Sequence, residues 1–218
     1  MTKIYIVRHC EAEGNNKRIF QGSTNCDITE LGKKQLELLE KRFKDIPLEK
    51  VYTSPLIRAK KTAQAVKGEH AVTVSEMPEL TELDGGILEG KPFMPTIRSV
   101  PGLAEIWNDR PQDFAPEGGE PMREAYERIW KAITLIAEEN EGKTVAVVSH
   151  GGVIRCLNCR LLYGSIDRLK DTSWSENTSV ALVTFGSDGA KLHYMNDHSH
   201  VPEELLPLRS RLAEVATK

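Results

Sequence analysis

Apolar residues fall along this chain in two rhythms. Short unbroken runs at 4–7, 51–53, 72–74, 144–148 and 180–185 have the length and β-branched content of buried strands. Between them, apolar positions recur at helical spacing, as Leu36, Leu39 and Phe43, and again as Ala125, Ile129, Ala132, Ile133 and Ile136. Thr29 stands as an N-cap before the first of these helices and Pro47 ends it. Ser54-Pro55 stops the second strand and opens a helix with Pro55 near its first turn, while Gly151-Gly152 open another. Asp188-Gly189 predicts a hairpin turn from 180–185 into a strand at 191–194, and a final helix is expected over about 202–215. Strands alternating with helices predict an α/β fold, a three-layer α/β/α sandwich whose mostly parallel sheet carries an antiparallel edge strand.

One stretch follows neither rhythm. Five prolines lie between 92 and 116, with little regular apolar spacing. That composition predicts an irregular excursion, a lid over a site rather than a core element. The chain therefore reads as one domain over 1–218 with a lid-like insertion at about 90–119.

Composition changes this picture only by exclusion. A length of 218 residues suffices for one substantial domain, and a net charge of −3 with interspersed signs gives no basic field for nucleic acid. There is no apolar run near 18 residues, and the chain opens on a strand rather than a signal-peptide pattern, so no membrane association is expected. Four cysteines make no disulfide framework, which points to a reducing, cytoplasmic setting. Cys156 and Cys159 form a CxxC inside an apolar helical pattern and read as buried thiols. A zinc site would need a second ligand pair, and only His193, His198 and His200, far downstream, are available.

The candidate chemistry sits where strands end. Ligands of open parallel sheets bind beyond the carboxyl ends of the strands. The first strand ends in Arg8-His9, and the run 144–148 ends in Ser149-His150-Gly151-Gly152. A core histidine would lie within an apolar run; two placed just past such runs suggest a shared target. Arg58 lies in the first turn of the helix after Ser54-Pro55, whose amides also face that edge. Asn15 and Gln21 offer amide donors and Gly22 a close backbone approach, in a polar loop that alone would be ordinary surface. Glu82, flanked by Leu80 and Leu83, stands out from a carboxylate-rich stretch that also holds Glu79, Asp84 and Glu89.

Together these segments resemble the histidine phosphatase superfamily, which includes the phosphoglycerate mutases. Arg8-His9 with Glu11 and Asn15 is similar to its RHG signature, and Gln21-Gly22 to the loop contact that follows. Residues 54–59, Ser-Pro-Leu-Ile-Arg-Ala, resemble the second-arginine segment. Glu82-Leu83-Asp84-Gly85 resembles the acid segment, and Ser149-His150-Gly151-Gly152 the second-histidine segment. Four ordered matches are far more specific than one. Cys10 departs from the usual glycine and bears on local backbone freedom alone.

The resemblance implies a phosphohistidine on His9, with Arg8, Arg58 and His150 stabilising the phosphoryl group and Glu82 serving as proton donor and acceptor. Asn15, Gln21, Gly22 and Gly151 are the implied substrate contacts. No metal or other cofactor is expected, since the arginines supply the positive charge. A mutase needs additional cations for a carboxylate-bearing substrate, including paired arginines. The segment after the acid holds only the scattered Lys91, Arg98 and Arg110. The expected activity is therefore hydrolysis of a small phosphate monoester. A bisphosphoglycerate-dependent phosphoglycerate mutase is the alternative, and an inactive phosphate-binding module a further one. The expected partner is a small phosphate ester, and the oligomeric state is open.

Overall fold

In the computed structural model, which describes residues 1–206, the strand β1 (Thr2–Arg8) is apolar from Ile4 to Val7, where both faces of the sheet are covered. It lies in a six-stranded sheet with β2 (Lys50–Thr53), β3 (Val74–Glu76), β4 (Thr144–Ser149), β5 (Val180–Gly186) and β6 (Gly189–Asp197). The order is β3-β2-β4-β1-β5-β6. The first four of these run parallel, and β5 pairs antiparallel with both β1 and β6.

Side chains alternate across the sheet and feed two cores. Ile4, Ile6, Val145 and Val147 meet one layer, built on α6 (Met122–Glu139) and α7 (Gly151–Tyr163). Tyr5, Val7, Ala146 and Val148 meet the other, built on α2 (Glu30–Phe43) and α3 (Ile57–Lys67). This is the three-layer sandwich that the strand–helix alternation predicts. Thr29 caps α2 by accepting from the Gly32 amide at 3.0 Å, and the α6 stripe from Ala125 to Ile136 is buried as its spacing implies. A five-residue helix, α1 (Glu13–Lys17), follows β1.

Several boundaries differ from expectation. β3 occupies 74–76 rather than 72–74, because its pairing with β2 sets in only where Val51 donates to the Thr73 carbonyl. α3 starts at Ile57 with Leu56 as its N-cap, so Pro55 lies just outside it. The hairpin turns on Ser187-Asp188, and Gly189, at φ 94°, opens β6. Of the helix expected over 202–215, the described part is a 3-10 turn at Glu203–Leu205 that gives way to extended backbone at Leu206. The rest lies outside the described residues.

The stretch 92–116 is not irregular. It holds α4 (Phe93–Ser99), α5 (Leu103–Asp109) and a 3-10 turn at Pro111–Asp113. Ile97, Leu103 and Phe114 are buried in the same core as Ile4 and Ile6. Helices of seven residues are too short to display a stripe. Their prolines stand at caps and first turns, where a missing N–H costs nothing.

Candidate active site

Strand register assembles the site. β1 and β4 pair with Arg8 opposite Ser149, and β4 and β2 pair with Thr53 opposite Val148. His9, His150 and Ser54, each the first residue beyond its strand, therefore emerge side by side. The His9 amide donates to the Ser149 carbonyl at 3.0 Å, and the Ser54 amide to the Val148 carbonyl at 3.1 Å. The two imidazoles are buried with ring centroids 5.1 Å apart.

His9 Nδ1 lies 2.6 Å from the Cys10 carbonyl oxygen. A carbonyl only accepts, so Nδ1 carries the proton and the neutral ring presents its lone pair at Nε2. Burial above all, then the charges of Arg58 and Arg8, hold the His9 pKa well below the ordinary histidine value, against the smaller pull of the Cys10 carbonyl. The His9 carbonyl accepts from Asn177 Nδ2 at 2.9 Å. Next to it, Thr178 adopts φ 58°, a left-handed conformation costly for a β-branched residue, and its amide donates to the Arg8 carbonyl at 3.0 Å.

His150 forms the N-cap of α7, and its Nε2 lies 2.7 Å from Ser54 Oγ. Its Nδ1 is buried with no hydrogen-bond partner among the described residues. Burial, followed by Arg58, His9 and Arg8, also lowers this pKa well below its usual value. Both rings are thus neutral in a site crowded with positive charge.

The two guanidinium groups are held differently. Arg8 Nη1 donates to the Ser175 carbonyl. Arg58 is wholly buried; Nη1 donates to the Thr24 carbonyl at 2.8 Å, and Nη2 to those of Gln21 at 2.7 Å and Gly22 at 3.1 Å. Its Nη groups therefore fasten the loop 21–24, whereas its buried Nε has no partner among the described residues. Arg58 is a loop anchor as well as a candidate phosphoryl ligand.

The Glu82 carboxylate lies at the start of α7. Oε2 accepts from the Gly152 amide at 2.9 Å, and Oε1 from the Val153 amide at 3.1 Å and the Leu83 amide at 2.9 Å. Gly151 sits against Arg8, where a Cβ would come within 3.2 Å of the guanidinium carbon. At Gly22 a Cβ would collide with the Leu83 carbonyl and the Glu89 carboxylate. Its small size thus serves a contact with the acid segment rather than with a ligand. Asn15 Oδ1 caps its own short helix on the Ala12 amide at 3.0 Å. The Gln21 side chain lies over Gly14, with Oε1 buried and without a partner among the described residues.

Cys10 is absent from the non-glycine residues at positive φ, so the place where glycine is usual needs no glycine here. Burial pushes its thiol up to about 12. Cys156 and Cys159 are buried free thiols, as their apolar setting implies. Among the described residues, no three histidine, cysteine or acidic side chains converge as a metal site.

Three contributors escape a reading of the sequence alone. Ser54 looks like helix punctuation, yet it holds His150. Glu89 looks like solvated charge, yet it accepts from the amides of Ser23, Thr24 and Gly85 at 3.1, 2.9 and 2.7 Å, tying the Arg58 loop to the acid segment. Asn177 looks like a pre-strand turn; β5 is antiparallel, so its beginning falls at the edge where the parallel strands end.

A model of the histidine phosphatase superfamily (branch 1) matches residues 4–198. The chain is 29% identical over 184 residues to phosphoserine phosphatase 1 of Hydrogenobacter thermophilus, covering 84% of this chain and 86% of that one. It is 31% identical over 163 residues to the probable phosphoglycerate mutase GpmB of Cronobacter sakazakii, covering 74% and 75%. The structure of Bacillus stearothermophilus YhfR superposes with a TM-score of 0.88 at 29% identity, covering 93% of this chain and all of that one. With the strand ends, imidazoles and arginines arranged as described, the chain belongs to the histidine phosphatase superfamily, as a hydrolase of phosphate monoesters.

Proposed function

We propose that this chain hydrolyses a small phosphate monoester in two steps through a phosphohistidine on His9. The observation that carries the reading is the locked His9 ring, whose Nδ1 is held on the Cys10 carbonyl so that Nε2 faces the site as a neutral nucleophile. In the first step the Nε2–P bond forms as the P–O ester bond breaks, and a protonated Glu82 passes its proton to the leaving oxygen. In the second, water attacks phosphorus, Glu82 takes its proton, and the N–P bond breaks to release phosphate. Arg8 and the Nε–H of Arg58 stabilise the equatorial oxygens.

Ser54 sets the role of His150. Its Oγ accepts from the Leu56 amide at 3.3 Å, leaving the hydroxyl proton for His150 Nε2. The neutral ring then carries its proton on the unpartnered Nδ1 and donates it to a phosphoryl oxygen. Glu82 works only if one oxygen exchanges an α7 amide for the leaving group, so proton transfer involves a side-chain movement.

Asn15, Gln21, Gly22 and Gly151 shape the phosphate pocket, Gly22 and Gly151 through packing. The chain acts as one domain that includes 90–119, a reading supported by the burial of Ile97, Leu103 and Phe114 in the common core. Four free thiols suit a reducing, cytoplasmic compartment, and no helix among the described residues is long and apolar enough to cross a membrane. The mutase reading draws on the likeness to GpmB. Against it, Lys91, Arg98 and Arg110 are exposed, and Arg110 faces Asp113 at 3.6 Å.

Acid quenching during turnover of a phosphorus-labelled ester is the test. An acid-labile adduct on His9 that disappears in His9→Ala is the expected result. An adduct on His150, or turnover surviving His9→Ala, overturns the assignment.

A further inference from the structure

Four aromatic rings form a continuous row beside the site. Phe20 and Phe93 have centroids 5.6 Å apart, Phe93 and Trp107 4.8 Å, and Trp107 and Trp174 5.9 Å. Phe20, Phe93 and Trp107 each pack one side on the core and remain partly exposed, and Trp174 is 37% exposed. Rings left open in a row mark a surface that takes a ligand.

Both ends of the row adjoin an arginine anchor. Phe20 precedes Gln21, whose carbonyl holds Arg58 Nη2, and Trp174 precedes Ser175, whose carbonyl holds Arg8. The middle comes from the insertion, with Phe93 on α4 and Trp107 on α5. The row thus runs from the segment that anchors Arg58 to the segment that anchors Arg8.

The row carries little charge with which to grip a polar substituent. Arg155 lies 4.8 Å over the Trp174 ring, but its Nε and Nη2 are committed to the carbonyls of Thr172 and Leu169, each at 2.8 Å. The geometry points to a phosphate monoester with an apolar, aromatic-sized ester group as the preferred substrate class, a conclusion that rests on the hydrolase reading. A small carboxylate-bearing ester leaves the rings uncovered, and the guanidinium against Trp174 already spends Nε and Nη2 on backbone carbonyls.

Phosphate release from 3-phenylpropyl phosphate, ethyl phosphate and phosphoserine tests this, because all three leaving groups are alkyl alcohols. The expected kcat/KM for the phenylpropyl ester exceeds both others by about tenfold. Trp174→Ala and Trp107→Leu should each lower that value by about tenfold, chiefly through KM, and leave ethyl phosphate unchanged. Should Trp107→Leu fail to fold, the half-exposed Trp174 decides alone. Preference for phosphoserine, or equal losses on both esters, overturns the inference. Phosphate release from none of the three overturns the hydrolase reading instead. Tryptophan fluorescence titrated with 3-phenylpropylphosphonate and ethylphosphonate then judges the row separately. Tighter binding of the phenylpropyl compound, lost in Trp174→Ala, supports it; equal binding of the two rejects it.

Discussion

Ser54 Oγ lies 2.7 Å from His150 Nε2, although the two residues are 96 positions apart in the chain. The contact exists because β2 and β4 pair in parallel and both end at the same sheet edge. If it sets the ring's tautomer, Ser54→Ala should lower kcat on alkyl phosphates by about 10- to 100-fold with little change in unfolding midpoint. Ser54→Thr should restore much of the loss. Nitrogen chemical shifts should show the His150 proton on Nδ1 in the parent and divided between both nitrogens in Ser54→Ala. Unchanged shifts would limit Ser54 to packing.

Glu82 is bound by three backbone amides while proposed to transfer protons. Glu82→Gln should slow alkyl phosphates by about 10²–10⁴-fold and activated aryl phosphates far less, since a good leaving group needs no proton. Equal slowing on both would show that the carboxylate acts by holding the start of α7.

For the choice between hydrolysis and isomerisation, the expected outcome with 3-phosphoglycerate is slow phosphate release at most. Added 2,3-bisphosphoglycerate should not switch on efficient isomerisation. Replacing Lys91 and Arg98 by Ala should shift substrate preference while leaving phosphohistidine formation from an aryl phosphate intact. Interconversion of the two phosphoglycerates faster than phosphate release would make the chain a mutase.

Acid should hurt both activity and stability. His9 and His150 each titrate well below about 6.5, their value in the unfolded chain, so between the two values the unfolded chain binds more protons than the native state. Stability is complete above about pH 6.5 and declines below it, by at most about 1.4 kcal/mol per pH unit for each histidine. His200, lowered to about 4, acts in the same window. Urea midpoints at two pH values should converge in a His9→Asn, His150→Asn double variant, leaving the His200 share. The acid limb of kcat/KM should fall below pH 6.5; a limb at or above that value would contradict a neutral, desolvated His9.

Cys10 tests the departure from the family's usual glycine. It is buried and free of left-handed strain, so Cys10→Ala should retain activity, and Cys10→Gly should cost about 0.5–1 kcal/mol through added freedom of the unfolded chain. Iodoacetamide should leave the native thiol unmodified. Rapid alkylation would mean that the strand end opens.

Local pattern alone carries the sandwich, the buried strands and the residues gathered at the sheet edge. The run 4–7 must be buried on both faces wherever it goes, and Arg8-His9 must emerge where it stops. Arg58, Glu82 and His150 stand out as candidates only through the ordered segments that resemble the family's. Partnerships were not legible, because each depends on register between distant segments. Arg8 is set opposite Ser149 only by the β1–β4 pairing, and that register alone brings two imidazole centroids to 5.1 Å. The Nη groups of Arg58 point at carbonyls 34 to 37 positions away, so a residue read as an open phosphate clamp also anchors a loop. The insertion's helices were hidden because each is too short to show a period, and burial of Ile97, Leu103 and Phe114 against the sheet makes them part of the core. Residue type and spacing are properties of the chain, as is the His9 contact with the neighbouring Cys10 carbonyl, whereas the Ser54 hydroxyl that decides which His150 nitrogen carries the hydrogen arrives only after β2 and β4 have paired.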